Sequence, residues 1–296
     1  MRRRDFLKNT AAVSSALYLP TFFNLEGTAG NSLVVKVQGE SPYDITKRAV
    51  KELGGMRKFI SKQDIVMVKP NIAWNRTVEQ AGNTNPEVVR AVIEMVLNAG
   101  AKKVIVMDNT THKAAGTYSR SGIEEVAKKT GAEVRYADEN RLIIHDFKGQ
   151  KLTRWPVFKD HLEVDKFINV PILKHHGSAG LTIAMKNLFG IIGGNRGKLH
   201  RNMGDNIADL ANGFTINLTI VDAYRVLMRN GPTGGRLSDV ELKKTVIASA
   251  NIMEADVVAA DLFGKPPHEV PFIQAAFARK MGNIDLSKIN IKTVKA

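Results

Sequence analysis

The sequence predicts an α/β protein, two-lobed, with a mostly parallel sheet, flanking helices and a site at the strand carboxyl ends. Three observations predict it. Ile65–Val68 and Val104–Met107 are short, wholly apolar runs, and Phe167–Val170 is apolar but for Asn169, much as strands buried on both faces require. Segments of helical apolar periodicity lie between them, the pattern of βα units. The 296 residues are enough for two lobes of ordinary size.

Taken in order, Leu33–Val37 reads as a strand and Tyr43–Leu53 as a helix ended by Gly54-Gly55. After Ile65–Val68 comes a polar loop, and Thr84-Asn85-Pro86-Glu87 marks a helix start with Thr84 at the cap. Val88, Val92, Met95 and Val96 form the apolar face of that helix, and Gly100 closes it. Gly122–Thr130 reads as a helix and Glu133–Tyr136 as a strand. The polar, basic stretch 140–165 suits an antiparallel excursion or a lobe boundary, with the lobes expected to meet near residue 160. Leu181–Leu188 and Met203–Phe214 read as helices, Ile216–Val221 and Thr245–Ala250 as strands. Ile252–Phe263 and Val270–Met281 read as helices, and the last strand lies near Ile289–Val294. The expected division is a segment 1–29 and two α/β lobes, 30–160 and 161–296.

Residues 1–29 read as an export address. Arg3 and Arg4, followed by Phe6-Leu7-Lys8, match the twin-arginine signal, with Arg2 where Ser or Thr is usual. The apolar stretch Ala11 to Phe23 falls short of the roughly 20 residues a membrane span needs. Gly27-Thr28-Ala29 offers a cleavage site. The expected partner is the twin-arginine translocase, the expected location the periplasm or cell envelope, with no stable transmembrane span after cleavage. The alternative is a basic amphipathic N-terminal helix.

Charge narrows the partners. Lys and Arg number 43 against 29 Asp and Glu, a net +14. Residues 1–29 hold four basic and two acidic residues, so their removal leaves +12. An excess of this size selects anionic partners, and export disfavours nucleic acid among them. The chain has no Cys, which excludes disulfides, thiolate metal sites, a cysteine nucleophile and any iron–sulfur cluster ligated by this chain.

Ligands of open α/β sheets bind beyond the carboxyl ends of strands. There the sequence places Lys69 and Asn71, then Asp108, Asn109 and His112, then Lys174, His175 and His176, and finally Asp222. Asp and Asn also serve simply as turn formers. Lys174 offers fixed positive charge, and a neighbouring His a general base or metal ligand near neutral pH. Adjacent strand residues face opposite ways, so one of His175 and His176 enters a site. Lys186 and Asn187 interrupt an apolar segment, either toward a ligand or toward solvent. The glycine-rich loop from Gly190 carries Arg196 and Lys198, suited to wrapping an anion as a lid or to being an ordinary surface loop. It is not a P-loop, since Ile192 and Leu199 stand where that motif needs Gly and Ser or Thr. Gly-x-Gly, Gly-x-Ser-x-Gly and His-Glu-x-x-His do not occur, which excludes the fold families those motifs define.

Val68-Lys69-Pro70-Asn71, Thr84-Asn85-Pro86, Asn169 through His176, Met185 through Gly190 and Ile220-Val221-Asp222-Ala223 together resemble the domain of unknown function 362 family, over about residues 62–265. Some members carry a ferredoxin-like extension, from which this Cys-free chain departs. More distantly the chain is similar to the nickel-pincer lactate racemase group, two-lobed α/β enzymes whose Lys and His residues hold a nucleotide-derived metal cofactor. Three functions follow as expectations. The first is an exported enzyme acting on a small, oxygen-rich anion. In it Lys69, Lys174 and Lys186 clamp charge, Asp108 and Asp222 hold a divalent metal, and His175 or His176 moves a proton. The second is a non-catalytic envelope carrier or assembly protein for a cofactor or anionic ligand. The third is attachment to anionic envelope polymer or lipid.

Overall fold

The computed structural model describes residues 32–296; Arg3, Arg4 and the expected signal lie outside the described residues. The chain runs β1 (Leu33–Gln38), α1 (Pro42–Glu52), β2 (Ile65–Pro70), α2 (Pro86–Ala99), β3 (Lys103–Asp108), α3 (Ala114–Arg120), α4 (Ile123–Lys129) and β4 (Glu133–Tyr136). It continues with β5 (Leu142–Asp146), β6 (Arg154–Phe158), β7 (Lys166–Val170), β8 (Ile172–His176), β9 (Gly180–Thr182), α5 (Ala184–Asn187) and α6 (Met203–Asn212). It ends with β10 (Leu218–Leu227), β11 (Val240–Ser249), α7 (Ile252–Phe263), α8 (Pro271–Ala278) and β12 (Asn290–Lys295).

One sheet takes all but β5 and β6, in the order β12-β1-β11-β10-β7-β2-β3-β4, with β8 and β9 hung from β10. The strands from β10 to β4 are mutually parallel; β11 is antiparallel to both neighbours. The fold class is therefore the expected α/β arrangement, mostly parallel with flanking helices. Residues 32–296 lie within one compact unit. The boundary expected near residue 160 falls inside it, because β7 pairs directly with β2 over Lys166–Val170 and carries the sheet across. The excursion expected in 140–165 is the antiparallel pair β5–β6.

Alternation along each strand sorts side chains between two helical layers. Val66, Val68, Val104 and Val106 pack with α1, α2 and α4, while Met67, Ile105 and Met107 pack with α6, α7 and α8. Both faces are apolar, so these strands read as continuous hydrophobic runs. Local chemistry sets the helix ends. Asn85 caps α2 by accepting from the Glu87 N–H at 3.0 Å, Pro86 takes the first turn, and Gly100 closes it at φ 103°. Thr84, expected as that cap, instead accepts from the Asn71 N–H (2.8 Å) and donates to the Val170 carbonyl (2.7 Å). It ties the loop after β2 to the end of β7.

One expectation about helices is corrected. Leu181 and Thr182 belong to β9, where pairing with His175 and Lys174 overrides their helical spacing; only Ala184–Asn187 is α-helical, followed by a 3₁₀ turn at Leu188–Ile191. Helix α3 has no expected counterpart. Among the described residues no helix is long and apolar enough to cross a membrane.

Candidate anion-binding site

Beyond the ends of β2, β3 and β8 lies a cavity of about 570 Å³, mid-range for a small-molecule site. Asn71, Trp74, Asp108, Asn109, Lys174, His176, Lys186, Asn187, Phe189, Arg196 and His200 help to line it. It sits at the strand ends where ligands of open sheets bind.

Beneath its floor is a polar network. Lys69 and Asn169 stand side by side across β2 and β7, with Thr219 next to Asn169 on β10. Lys69 is wholly buried, and its Nζ pairs with Asp108 Oδ1 at 2.7 Å. The same amine donates to the Pro70 carbonyl (3.0 Å) and to Asn187 Oδ1 (3.2 Å). Asn187 Nδ2 donates to Asn169 Oδ1 at 2.8 Å. Burial depresses the Lys69 pKa, and the Asp108 carboxylate opposes that depression. Asp108 Oδ2 accepts from the Ile72 N–H at 2.6 Å. Gly190 closes over the pair: a Cβ there would lie 1.7 Å from Asp108 Oδ1 and 2.6 Å from Lys69 Nζ. Lys69 thus neutralises Asp108 and does not line the cavity, contrary to the expectation that it clamps a ligand.

Helix α3 supplies a residue that sequence reasoning missed. The Tyr118 hydroxyl accepts from the Asp108 N–H (2.7 Å), fixing the end of β3. Asp256 on α7 is another; its carboxylate accepts from the Ala184 and Met185 N–H groups at 2.6 and 3.0 Å and sets the start of α5. Asn83 accepts from the Ala73 and Trp74 N–H groups and folds the loop that presents Trp74.

The cavity wall itself is cationic. On β8 the period of two puts Lys174 and His176 on one face. Lys174 Nζ donates to Asn71 Oδ1 (3.1 Å) and to the Gly82 carbonyl (2.5 Å). Burial, reinforced by the field of Lys186, pushes its pKa down to about 7. His176 Nδ1 accepts from the Ala179 N–H at 3.2 Å, which leaves the ring proton of the neutral imidazole on Nε2. Burial and the neighbouring lysines push its pKa down to about 3, so it is a neutral donor at ordinary pH. His175 turns the other way, toward Gly231, whose N–H donates to its Nδ1 at 3.1 Å.

Lys186 extends from α5 over the Phe189 ring, 3.8 Å from its centroid. Burial, then the charges of Arg196 and Lys69, push its pKa down to about 7. The Arg196 guanidinium reaches back to the carbonyls of Phe189 (3.2 Å), Asn109 (3.3 Å) and Thr110 (3.4 Å), strapping the glycine-rich loop to the end of β3. Lys198 in the same loop is exposed and is not among the lining residues.

Against Lys174, Lys186 and Arg196 the lining offers one carboxylate, Asp108, already neutralised by Lys69. A divalent cation does not fit this donor set. Asp222, the expected partner of Asp108, is inside β10 rather than at its end. Its Oδ2 accepts from the Asn85 N–H (2.7 Å) and its Oδ1 from the Tyr224 N–H (3.0 Å). Burial pushes its carboxyl up to about 6. It anchors the start of α2, apart from the cavity. Among the described residues no three His, Asp or Glu side chains are grouped to hold a metal ion.

An α/β sheet with a cationic cavity at its strand ends is the class that fold and site define. The chain belongs to the family described as "Domain of unknown function (DUF362)", whose model matches residues 66–261. It is similar to a thylakoid-associated protein of Synechocystis, 27% identical over 237 residues that cover 75% of this chain and 70% of that protein. Among solved structures it resembles the lactate racemase apoprotein of Thermoanaerobacterium thermosaccharolyticum, with TM-score 0.48 and 12% identity; the match covers 78% of this chain and 56% of the racemase. A Thermotoga maritima protein matches with TM-score 0.43 and 13% identity, over 76% of this chain and 60% of that one.

Proposed function

We propose that this protein is an exported enzyme that binds a small, oxygen-rich anion in the cavity beyond β2, β3 and β8. One observation carries the reading: the lining sets Lys174, Lys186 and Arg196 against a single carboxylate that Lys69 already neutralises. Cations held in a partly desolvated cavity gain more from an anion than the same charges on an open surface. His176 Nε2–H orients a ligand oxygen as a neutral donor, and Trp74 and Phe189 supply apolar wall. Export through the twin-arginine translocase, with residence in the periplasm or envelope, is part of the proposal. It rests on Arg3, Arg4 and the stretch that follows, and the name of the Synechocystis relative, thylakoid-associated, is in keeping with a location beside a membrane.

The test is native mass spectrometry of protein purified after export, followed by thermal-shift titration at low salt with oxalate, malonate and inorganic phosphate. A retained anion, or a melting temperature raised by one of these in the wild type and not in Arg196→Ala, is the expected result. No retained ligand and no shift with any of them would overturn the reading. Tight retention without turnover of any carboxylate or phosphate ester would instead assign a carrier role.

A further inference from the structure

Three lysines converge on this region, and their amines are not equivalent. Lys69 Nζ meets a carboxylate and two oxygen acceptors, and Lys174 Nζ meets two. Lys186 has neither an ion-pair nor a hydrogen-bond partner among the described residues, and it lies against the face of Phe189 on the cavity wall. A structural lysine is bonded; an amine left unbonded in a cationic cavity is arranged for something that enters it.

Resting on the anion-site reading, we propose that Lys186 is a nucleophile that forms an imine with the carbonyl carbon of a small oxo acid or anionic aldehyde. Arg196 and Lys174 hold the ligand's carboxylate or phosphate, which brings the carbonyl beside the amine. His176 Nε2–H faces the carbonyl oxygen and polarises it without giving up its proton, since an imidazole this hard to protonate is a hydrogen-bond donor and not an acid. The Lys186 nitrogen attacks the carbon and a C–N bond forms. Its two hydrogens pass to the oxygen, which leaves as water as the C=N bond forms. The step neither oxidises nor reduces either partner and needs no co-reactant. A low amine pKa keeps a sizeable share of Lys186 in the neutral, nucleophilic form near pH 7.

The experiment is reductive trapping of the full chain with glyoxylate and sodium cyanoborohydride at neutral pH, with the modified lysines located by peptide mass spectrometry. With its pKa pushed down to about 7, Lys186 is expected to label at least about tenfold faster than exposed Lys129 and Lys198. Lys186→Arg, which keeps the charge, removes that fast site and leaves the slow ones. Labelling of Lys186 no faster than of Lys129, or fast labelling of Lys174 in its place, would overturn the proposal. Oxalate separates the two claims. If it slows fast labelling of Lys186, nucleophile and anion site both stand. If fast labelling is indifferent to oxalate, the nucleophile stands and the anion reading falls. If oxalate raises the melting temperature while Lys186 stays slow, the nucleophile alone falls.

Discussion

Lys69 and Lys186 border the same region and do opposite work. Lys69 is wholly buried on β2, paired at 2.7 Å with Asp108 and roofed by Gly190. Lys186, on the short helix α5, has no polar partner among the described residues and opens on the cavity. The first lysine completes a neutral floor; the second, on the proposed reading, is left for a ligand. Two residues of one type, drawn from neighbouring parts of one site, divide stability from function.

The largest expected effect breaks the floor. Lys69→Met leaves the Asp108 carboxylate buried without its counterion, a change that costs about 3–5 kcal/mol. Urea denaturation is expected to show that loss, and Lys69→Met combined with Asp108→Leu to recover part of it. Gly190→Ala drives a methyl group into the same pair and is expected to cost about 1–3 kcal/mol by overpacking, read in the same assay. Lys186→Met, by contrast, removes a desolvated charge with no polar partner among the described residues and is expected to raise stability at pH 7 by more than about 1 kcal/mol.

The comparison also has a pH signature. The Lys186 pKa is about 7 in the folded chain and about 10.4 once unfolded. Between those values the unfolded chain holds a proton that the folded chain lacks. Stability therefore rises with pH across this window, by about 1.4 kcal/mol per pH unit for this lysine. The contribution is fully present above about 10.4, is lost as pH falls to about 7, and has no further slope below that. The difference in urea-unfolding free energy between wild type and Lys186→Met, followed from pH 7 to 10, is expected to show this slope. Lys174, whose pKa is also about 7, adds a trend of the same sign to both proteins, over a narrower window in Lys186→Met because the field of Lys186 is gone.

Smaller effects sharpen the contrast within the glycine-rich loop. Arg196→Ala is expected to weaken anion binding about tenfold or more, as loss of a hydrogen bond from a charged group does. Lys198→Ala, two residues away but exposed and outside the cavity, is expected to change affinity less than about twofold at moderate salt, because screening limits exposed charges. Titration calorimetry with oxalate measures both.

Much of the sheet was legible because its strands are largely apolar on both faces: Ile65–Val68, Val104–Met107 and Phe167–Val170, the last apolar but for Asn169, each lie within an observed strand. Elements made by distant pairing were not. Leu181 has helical spacing but joins β9 through its partner His175. Ala114–Arg120 has too few large apolar residues to display a period, yet forms α3 around buried Tyr118. Asp222 looked like a strand end because the apolar run stops there, whereas pairing with β11 continues to Leu227. In the site, residue type drew attention to Lys69, Lys174 and Lys186 alike. Which of them is neutralised depends on how Asp108 on β3 meets β2, and no local pattern encodes that contact. Trp74 and His200 lacked any flanking signal, since each reaches the cavity through loop geometry.

The most direct test of the account is the proton balance of anion binding. Oxalate carries no titrating group near pH 8, whereas Lys174 and Lys186 are largely neutral there in the free protein. A bound anion favours their charged forms. Calorimetric titration with oxalate at pH 8, in buffers of different ionisation enthalpy, should therefore show uptake of about one to two protons per anion bound, reduced in Lys186→Met. Binding with no proton uptake, or uptake unchanged in that variant, would contradict the claim that these lysines form the anion site.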